Sequence, residues 1–378
     1  MNDSHLRADG NLLVATGILV GIGMVAMYSA TAPLSPQMTP PIFFARHCGG
    51  LVVAILCGLL AARMPLSFWQ RSALPLWVLA LALLVATLLL GTHVNGAVRW
   101  LSLPIVKIRF QPVELAKFAS VLATAAVLAH GRRKRLRAWQ PILLLTATPT
   151  ALLLLQPDMG NAVLLAGTVG LLAFVAGAPL RLFTIPAAVM AAGLAAYITT
   201  QPYAAGRIIG FLDPWGTDRA QGFQLVQSFV AFGRGGMLGA GIGDGRQKLF
   251  YLPEAHTDFI LAVVAEELGA IGVLVVFGAF AALAVAGVRI ALGARDRFVQ
   301  LLSFGMTALL VVPAVVNGAV VTGLMPTKGL SLPFLSYGRS ALIASFVALG
   351  LLFRMARSNA STQMPVVSVT ERCRKVVR

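Results

Sequence analysis

Long apolar runs separated by short polar breaks limit the fold of this chain more than any other feature. "LWVLALALLVATLLL", residues 76–90, is the uninterrupted part of one, Ser72 to Gly91. Such runs, about 16 to 28 residues each, match the roughly 20 residues a helix needs to cross the hydrocarbon core of a bilayer. The alternation of a membrane barrel is absent. With 58% hydrophobic and 11% charged residues, the composition is far from that of a soluble domain. The expectation is an all-α, polytopic integral membrane protein.

Ten spans are predicted: Asn11 to Ala30, Ile42 to Ala62, Ser72 to Gly91, Gln111 to His130, Gln140 to Leu155, Gly160 to Gly177, Leu182 to Thr200, Asp258 to Gly287, Phe298 to Val321 and Ser340 to Phe353. The first lies too near the N-terminus and is too long for a cleaved signal peptide, so it reads as an uncleaved span. Lys and Arg flanking spans are retained on the cytoplasmic side. A cytoplasmic N-terminus puts Arg7, Arg63, Arg71, the run Arg132 to Arg137, Arg181, Arg289, Arg295, Arg297 and the last six basic residues inside. That is 18 of the 30 Lys and Arg, with both termini cytoplasmic. Residues 1–357 then form one transmembrane domain with an outer loop over 201–257, between helices 7 and 8, and 358–378 a basic cytoplasmic tail. Topology and contact with anionic lipid account for most of the +17 charge; nucleic acid is not required. Cys48 and Cys57, nine residues apart on one predicted helix, lie about 13 Å apart and cannot form a disulfide. No Cys/His metal motif is present.

The other basic residues oppose this bias and cluster in three outer segments: Asn95 to Lys117, the loop from Gln201 to Thr257, and Gly323 to Ser340. Clustered outer cations imply an anionic ligand. In the first segment Arg99, Lys107 and Arg109 precede Glu114 and Lys117, an i,i+3 pair inside the fourth span. A charge at mid-bilayer costs about 2.5 to 3.5 kcal/mol even on lenient scales, so the pair either fixes packing or serves function. Trp100 by itself reads as an interfacial anchor. The glycine-rich "GRGGMLGAGIGDG", 233–245, is compatible with a phosphate cradle and with a flexible linker. "AQGFQLVQSFVAF" before it reads as an amphipathic interfacial helix.

The segment "YLPEAHTDFILAVVAEELG", 251–269, carries five ionisable groups into an apolar helix. Pro253 suits the first position of a helix, which would put Glu254 and Asp258 on one face. Repulsion and partial burial would then raise the proton affinity of one of them, as a general base requires. Capping of the helix N-terminus is the competing structural role. Glu266 and Glu267 lie about 12 Å deeper and are expected to serve polar contacts within the bundle.

"KLFYLPEAHTDFILAVVAEELG", "MPTKGLSLPFLSYG", "FQPVELAK", "LLQPDMGNAVLL" and "NGAVRWL" together resemble the SEDS family (RodA/FtsW/SpoVE), in its order and spacing and over nearly the whole chain. The "YLPEAHTDF" form looks more like the division than the elongation members. The resemblance implies a ten-helix peptidoglycan glycosyltransferase that polymerises lipid II, a disaccharide-pentapeptide on undecaprenyl pyrophosphate. It implies action on the outer face of the cytoplasmic membrane, at the division septum, with a class B penicillin-binding protein and divisome partners. It makes Asp258 the catalytic residue and places Trp100, Arg109, Glu114, Lys117, Glu254, Lys328, Ser336 and Tyr337 at substrate. No cofactor is assigned; a divalent cation, magnesium or manganese, stays open. Arg339 stands where the family usually has a second glycine after Ser-Tyr. A lipid II flippase and a scaffold for the penicillin-binding protein are the alternatives; outer-side polar groups and the lack of an internal repeat favour polymerisation.

Overall fold

The computed structural model describes residues 3–34, 37–94, 97–103, 108–130, 139–200, 202–216 and 222–362. Its elements, in chain order, are α1 (Asp3–Thr31), α2 (Ile42–Arg63), α3 (Leu66–Leu90), β1 (Thr92–Val94), β2 (Ala97–Leu103), β3 (Ile108–Phe110), α4 (Pro112–Ala129), α5 (Gln140–Leu155), α6 (Met159–Val175), α7 (Arg181–Thr200), α8 (Pro202–Leu212), α9 (Phe223–Gly235), α10 (Ile260–Gly293), α11 (Arg297–Val321) and α12 (Arg339–Thr362). Seven helices (α1, α2, α3, α4, α10, α11 and α12) are long and apolar enough to cross a membrane, while α5, α6 and the described apolar part of α7 are shorter. Lys107, the run Arg132 to Arg137 and the chain beyond Thr362 lie outside the described residues.

The bundle is organised around α4, which is buried almost continuously from Pro112 to Leu128 and packs against α3, α6 and α11. By contrast, α2 and α3 expose Val52, Leu56, Leu60, Val78, Leu89 and Leu90, the outward apolar faces expected against lipid. Lipid tails are as apolar as leucine, so helices associate through close packing and interhelical hydrogen bonds. Trp77 Nε1 donates to Leu145 O (3.1 Å), Gln156 Nε2 to Leu84 O (2.7 Å) and Ser228 Oγ to Val321 O (2.8 Å). These bonds join α3 to α5, the end of α5 back to α3, and α9 to α11.

Three differences from the sequence expectation bear on the site. The segment after α3 forms a small antiparallel sheet in the order β1-β2-β3, with Ser102 paired to Arg109 and Leu101 to Phe110. Next, α10 starts at Ile260 rather than at Asp258. Residues 251–259 form turns, with Glu254 at φ 55; the N–H of Asp258 still reaches the Glu254 carbonyl at 3.1 Å. Finally, α12 continues past Arg357 to Thr362, beyond the expected start of the tail at 358.

The glycine-rich run is neither cradle nor linker. Within α10 the helix breaks at Gly269, at φ 66 and ψ −168, a conformation only glycine adopts without strain. The run 235–241 packs into the break. Ala270 N donates to Gly236 O (2.9 Å), Ile271 N to Met237 O (3.3 Å), Ala240 N to Glu266 O (2.9 Å) and Gly241 N to Glu267 O (3.2 Å). Irregular backbone inside a membrane protein is tolerated where such partners satisfy it. The side chains join in: buried Glu266 accepts from Arg246 N (2.7 Å), Gln247 N (3.0 Å) and Arg234 Nη1 (3.1 Å). Glu267 accepts from Lys248 Nζ (2.7 Å) and Ser29 Oγ (2.6 Å).

Candidate active site

At the end of the bundle where α10 begins, the sheet, α4, α8 and the loop between α11 and α12 enclose a cavity of about 400 Å³. The sheet contributes Arg99, Trp100 and Arg109; α4 contributes Glu114 and Lys117; the turns before α10 contribute Glu254, His256 and Asp258; the loop contributes Lys328 and Tyr337; and α12 contributes Arg339. Eight of the nine site residues expected from sequence thus line one space. Ser336 is the correction. Its Oγ accepts the N–H of Leu332 at 2.8 Å and its own N–H returns to the Leu332 carbonyl, so it is buried in folding the loop and does not line the cavity.

Four polar side chains of the cavity wall, Arg99, Glu114, Lys117 and Asn161, are locked. Lys117 Nζ lies 2.8 Å from Glu114 Oε1 and 3.3 Å from Asn161 Oδ1. Asn161 in turn donates to Asp158 Oδ2 at 2.9 Å, and Asp158 is 3.6 Å from Arg99 Nε. The guanidinium of Arg99 also donates to Pro157 O at 2.9 Å. This relay joins β2, α6 and α4, and its buried ions are paired as burial demands.

Asp258 is different. Among the described residues no hydrogen bond or ion pair engages its carboxylate, which stands half-buried at the cavity. Burial, reinforced by the charge of Glu254, pushes its pKa up to about 7; Arg207 and Arg99 pull against this, and Asp158 adds to it weakly. The backbone beneath is fixed. Asn317, buried in α11, donates from Nδ2 to both Asp258 O (2.8 Å) and Leu330 O (2.9 Å). The N–H of Tyr337 donates to His256 O at 2.9 Å. The turn before α10 and the 327–337 loop are thereby held as one unit. Gly329 completes the contact, because a Cβ there would come within 3.0 Å of Asp258 Oδ2.

Across the cavity, Arg207 donates to Thr327 O at 3.2 Å. Burial first, and Arg207 second, lower the pKa of Lys328, the mark of two cations gathered where an anion would relieve them. Burial also lowers the pKa of His256, against the opposing charge of Glu254. The stem of Arg339 lies over Gly50 of α2, and the residue lines the cavity. Among the described residues no three His, Cys, Asp or Glu side chains gather to hold a metal ion. The cavity sets one carboxylate of raised pKa opposite a group of cations.

Sequence reasoning left out several contributors. Asp158 and Asn161 sit in the quoted "LLQPDMGNAVLL", and Arg207 is one of the cations of the 201–257 loop, so all three had a signal. Asn317 had only a faint one, a lone amide in the apolar run "VVNGAVV".

A helical membrane bundle holding a charged cavity at one end defines a polytopic membrane protein with a polar site at that end. Comparison with known proteins narrows that class. The family pattern for FtsW, RodA and SpoVE, described as "Cell cycle protein", matches residues 10–361. A "Probable peptidoglycan glycosyltransferase FtsW" from Halomonas elongata is 41% identical over 92% of this chain and 90% of its own length. One of the same name from Saccharophagus degradans is 39% identical over 92% of each chain. Among solved structures, a chain of a peptidoglycan synthase complex, described for its coordination of polymerization and crosslinking, superposes with a TM-score of 0.75 at 31% identity over 92% of this chain and 97% of that one. The rod shape determining protein RodA of Thermus thermophilus gives 0.69 at 29% identity, over 92% and 96%. The chain belongs to the FtsW/RodA/SpoVE family.

Proposed function

We propose that this chain, a peptidoglycan glycosyltransferase, builds glycan strands from lipid II, with Asp258 as general base and the cavity cations as the pyrophosphate site. The observation that carries the reading is the Asp258 carboxylate, unpaired among the described residues and with its pKa pushed up to about 7, facing Arg109, Arg207, Lys328 and Arg339 across one cavity.

In the reaction, Asp258 takes the proton from the 4-hydroxyl of the acceptor N-acetylglucosamine as that oxygen bonds to the anomeric carbon of the donor. The anomeric C–O bond to the pyrophosphate breaks, and undecaprenyl pyrophosphate leaves with the electron pair. Attack opposite the leaving group turns the α linkage into β. Preorganised cations aimed at the developing charge stabilise such a transition state. Arg109, Arg207 and Lys328 suit this role best. Lys117, one of the cations expected there, is neutralised by Glu114 and serves to position the wall. A pyrophosphate beside Lys328 would restore the proton affinity that burial and Arg207 remove.

The basic residues favour an orientation with both termini cytoplasmic and the cavity on the outer face of the inner membrane. The division-type "YLPEAHTDF" motif and the relatives' names favour work at the septum. A class B penicillin-binding protein is the partner suggested by the similar chain from a complex that coordinates polymerization with crosslinking. The test is polymerisation of labelled lipid II by the purified chain, with and without that partner, against an Asp258→Asn variant that inserts and folds normally. Near wild-type polymerisation by the variant would refute the assignment.

A further inference from the structure

A second cavity, about 550 Å³, lies at the opposite end of the bundle, between Trp139, the end of α6 and the facing ends of α10 and α11. Its walls are mostly apolar, with Val175, Val288, Leu292 and Phe304 among them, and one cation, Arg297, enters it. Arg297 donates from one Nη to Ala176 O, the terminal carbonyl region of α6, at 3.1 Å. No described carboxylate pairs with it, and its neighbour Asp296 is spent on capping Phe298 N at 2.8 Å. A guanidinium has five donors, so most of its capacity is unspent. Its Nε is buried with no hydrogen-bond partner among the described residues, and a buried guanidinium nitrogen without an acceptor or counter-anion is costly.

We infer that this cavity binds one acidic phospholipid of the adjoining leaflet, its phosphate on Arg297 and an acyl chain along the apolar wall. Charge complementarity supports that occupant. By the topology assigned from sequence, this face carries 18 of the 30 Lys and Arg against only Asp3, Asp9, Asp296 and Glu371. None of the described residues lining the cavity is acidic, so its wall has no negative charge to offer Arg297. A free phosphate would leave the apolar wall unused, whereas a phospholipid satisfies both halves. Arginine pairs with phosphate in bidentate geometry, and basic pockets between membrane helices on this side are suited to acidic head groups. The site is separate from the catalytic cavity and does not depend on the reaction assigned there.

The test uses the full-length protein, delipidated in detergent and examined by native mass spectrometry with phosphatidylglycerol or phosphatidylethanolamine. Wild type should retain one phosphatidylglycerol through activation that strips phosphatidylethanolamine. Arg297→Gln should weaken that retention at least about tenfold, while Arg289→Gln, an exposed cation on the same face, should leave it unchanged. Val288→Phe, which fills the apolar part and keeps Arg297, should also lose the lipid, so the inference does not hang on one variant folding. Brominated phosphatidylglycerol should quench Trp139, judged by the loss of that quenching in Trp139→Phe. Equal retention by Arg297→Gln and Val288→Phe, equal loss in Arg289→Gln, or displacement by inorganic phosphate as effective as by lipid would each overturn it.

Discussion

Two acidic clusters lie close together along the start of α10 and have opposite fates. Glu266 and Glu267 sit at the helix break, held by cations, backbone amides and the Ser29 hydroxyl at 2.6 to 3.1 Å. Asp258, before the helix begins, has no partner on its carboxylate among the described residues, and its pKa is pushed up to about 7. Both clusters are charged groups at the edge of an apolar bundle, where an ion must be paired or change its protonation. The first is paired and works as structure. The second is left to titrate, which suits a base at neutral pH.

If that contrast holds, removing charge at the two places has different consequences. The largest effect on turnover is expected at Asp258. General-base catalysis contributes about 10² to 10⁴-fold, so Asp258→Asn should lower lipid II polymerisation by that much with its melting temperature unchanged. At the other cluster the loss should fall on stability. Glu267→Gln leaves Lys248 buried without its counter-charge, which typically costs about 3 to 5 kcal/mol. The variant should melt earlier and insert poorly, while the molecules that do fold keep their turnover. A Glu267→Gln protein of normal stability but lost activity would erase the distinction between the clusters.

Between these extremes stands Asn317, which touches the backbone beneath Asp258 but not the cavity's chemistry. Asn317→Ala removes two bonds that join the Asp258 turn to the 327–337 loop. Misplacement of a catalytic group by about 1 Å can cost on the order of 10²-fold, so a fall of about 10 to 100-fold in kcat is expected, with KM less affected. Asn317→Ser, which keeps one donor, should recover part of it. Arg339→Gly, restoring the glycine usual in the family, should have a smaller effect. As a cavity residue Arg339 should contribute to lipid II use in a salt-sensitive way. An effect only on activation by the penicillin-binding protein would instead assign it to docking.

How far the sequence revealed this site follows from what each residue needs. The span pattern, the amphipathic segment that becomes α9, and the motif residues around Asp258 were legible because they depend on local periodicity and residue type. The sheet β1-β2-β3 was not, although Asn95-Gly96 is the dipeptide favoured in two-residue hairpin turns, because strands of 3, 7 and 3 residues are too short for alternation to declare them. Nor was the start of α10. Pro253 and the carboxylates promise a helix, but Glu254 at φ 55 turns the chain first, and tertiary bonds from Asn317 and Tyr337 hold it there. The glycine-rich run was unreadable for the same reason: its function is to fill a break in a helix 30 residues away in the chain, on the order of 45 Å if that stretch were helical.

The most direct test of the central claim, that Asp258 acts as a base because burial and Glu254 hold its pKa up, is the pH profile of kcat/KM for polymerisation. The base must be ionised, so activity in wild type should rise with pH through a limb near 7. Glu254→Gln removes a negative charge that disfavours the Asp258 carboxylate, so its limb should move to lower pH while the plateau rate stays within a few-fold. A limb that stays in place in Glu254→Gln, or a wild-type rate that does not vary between about pH 5.5 and 8, would contradict the account.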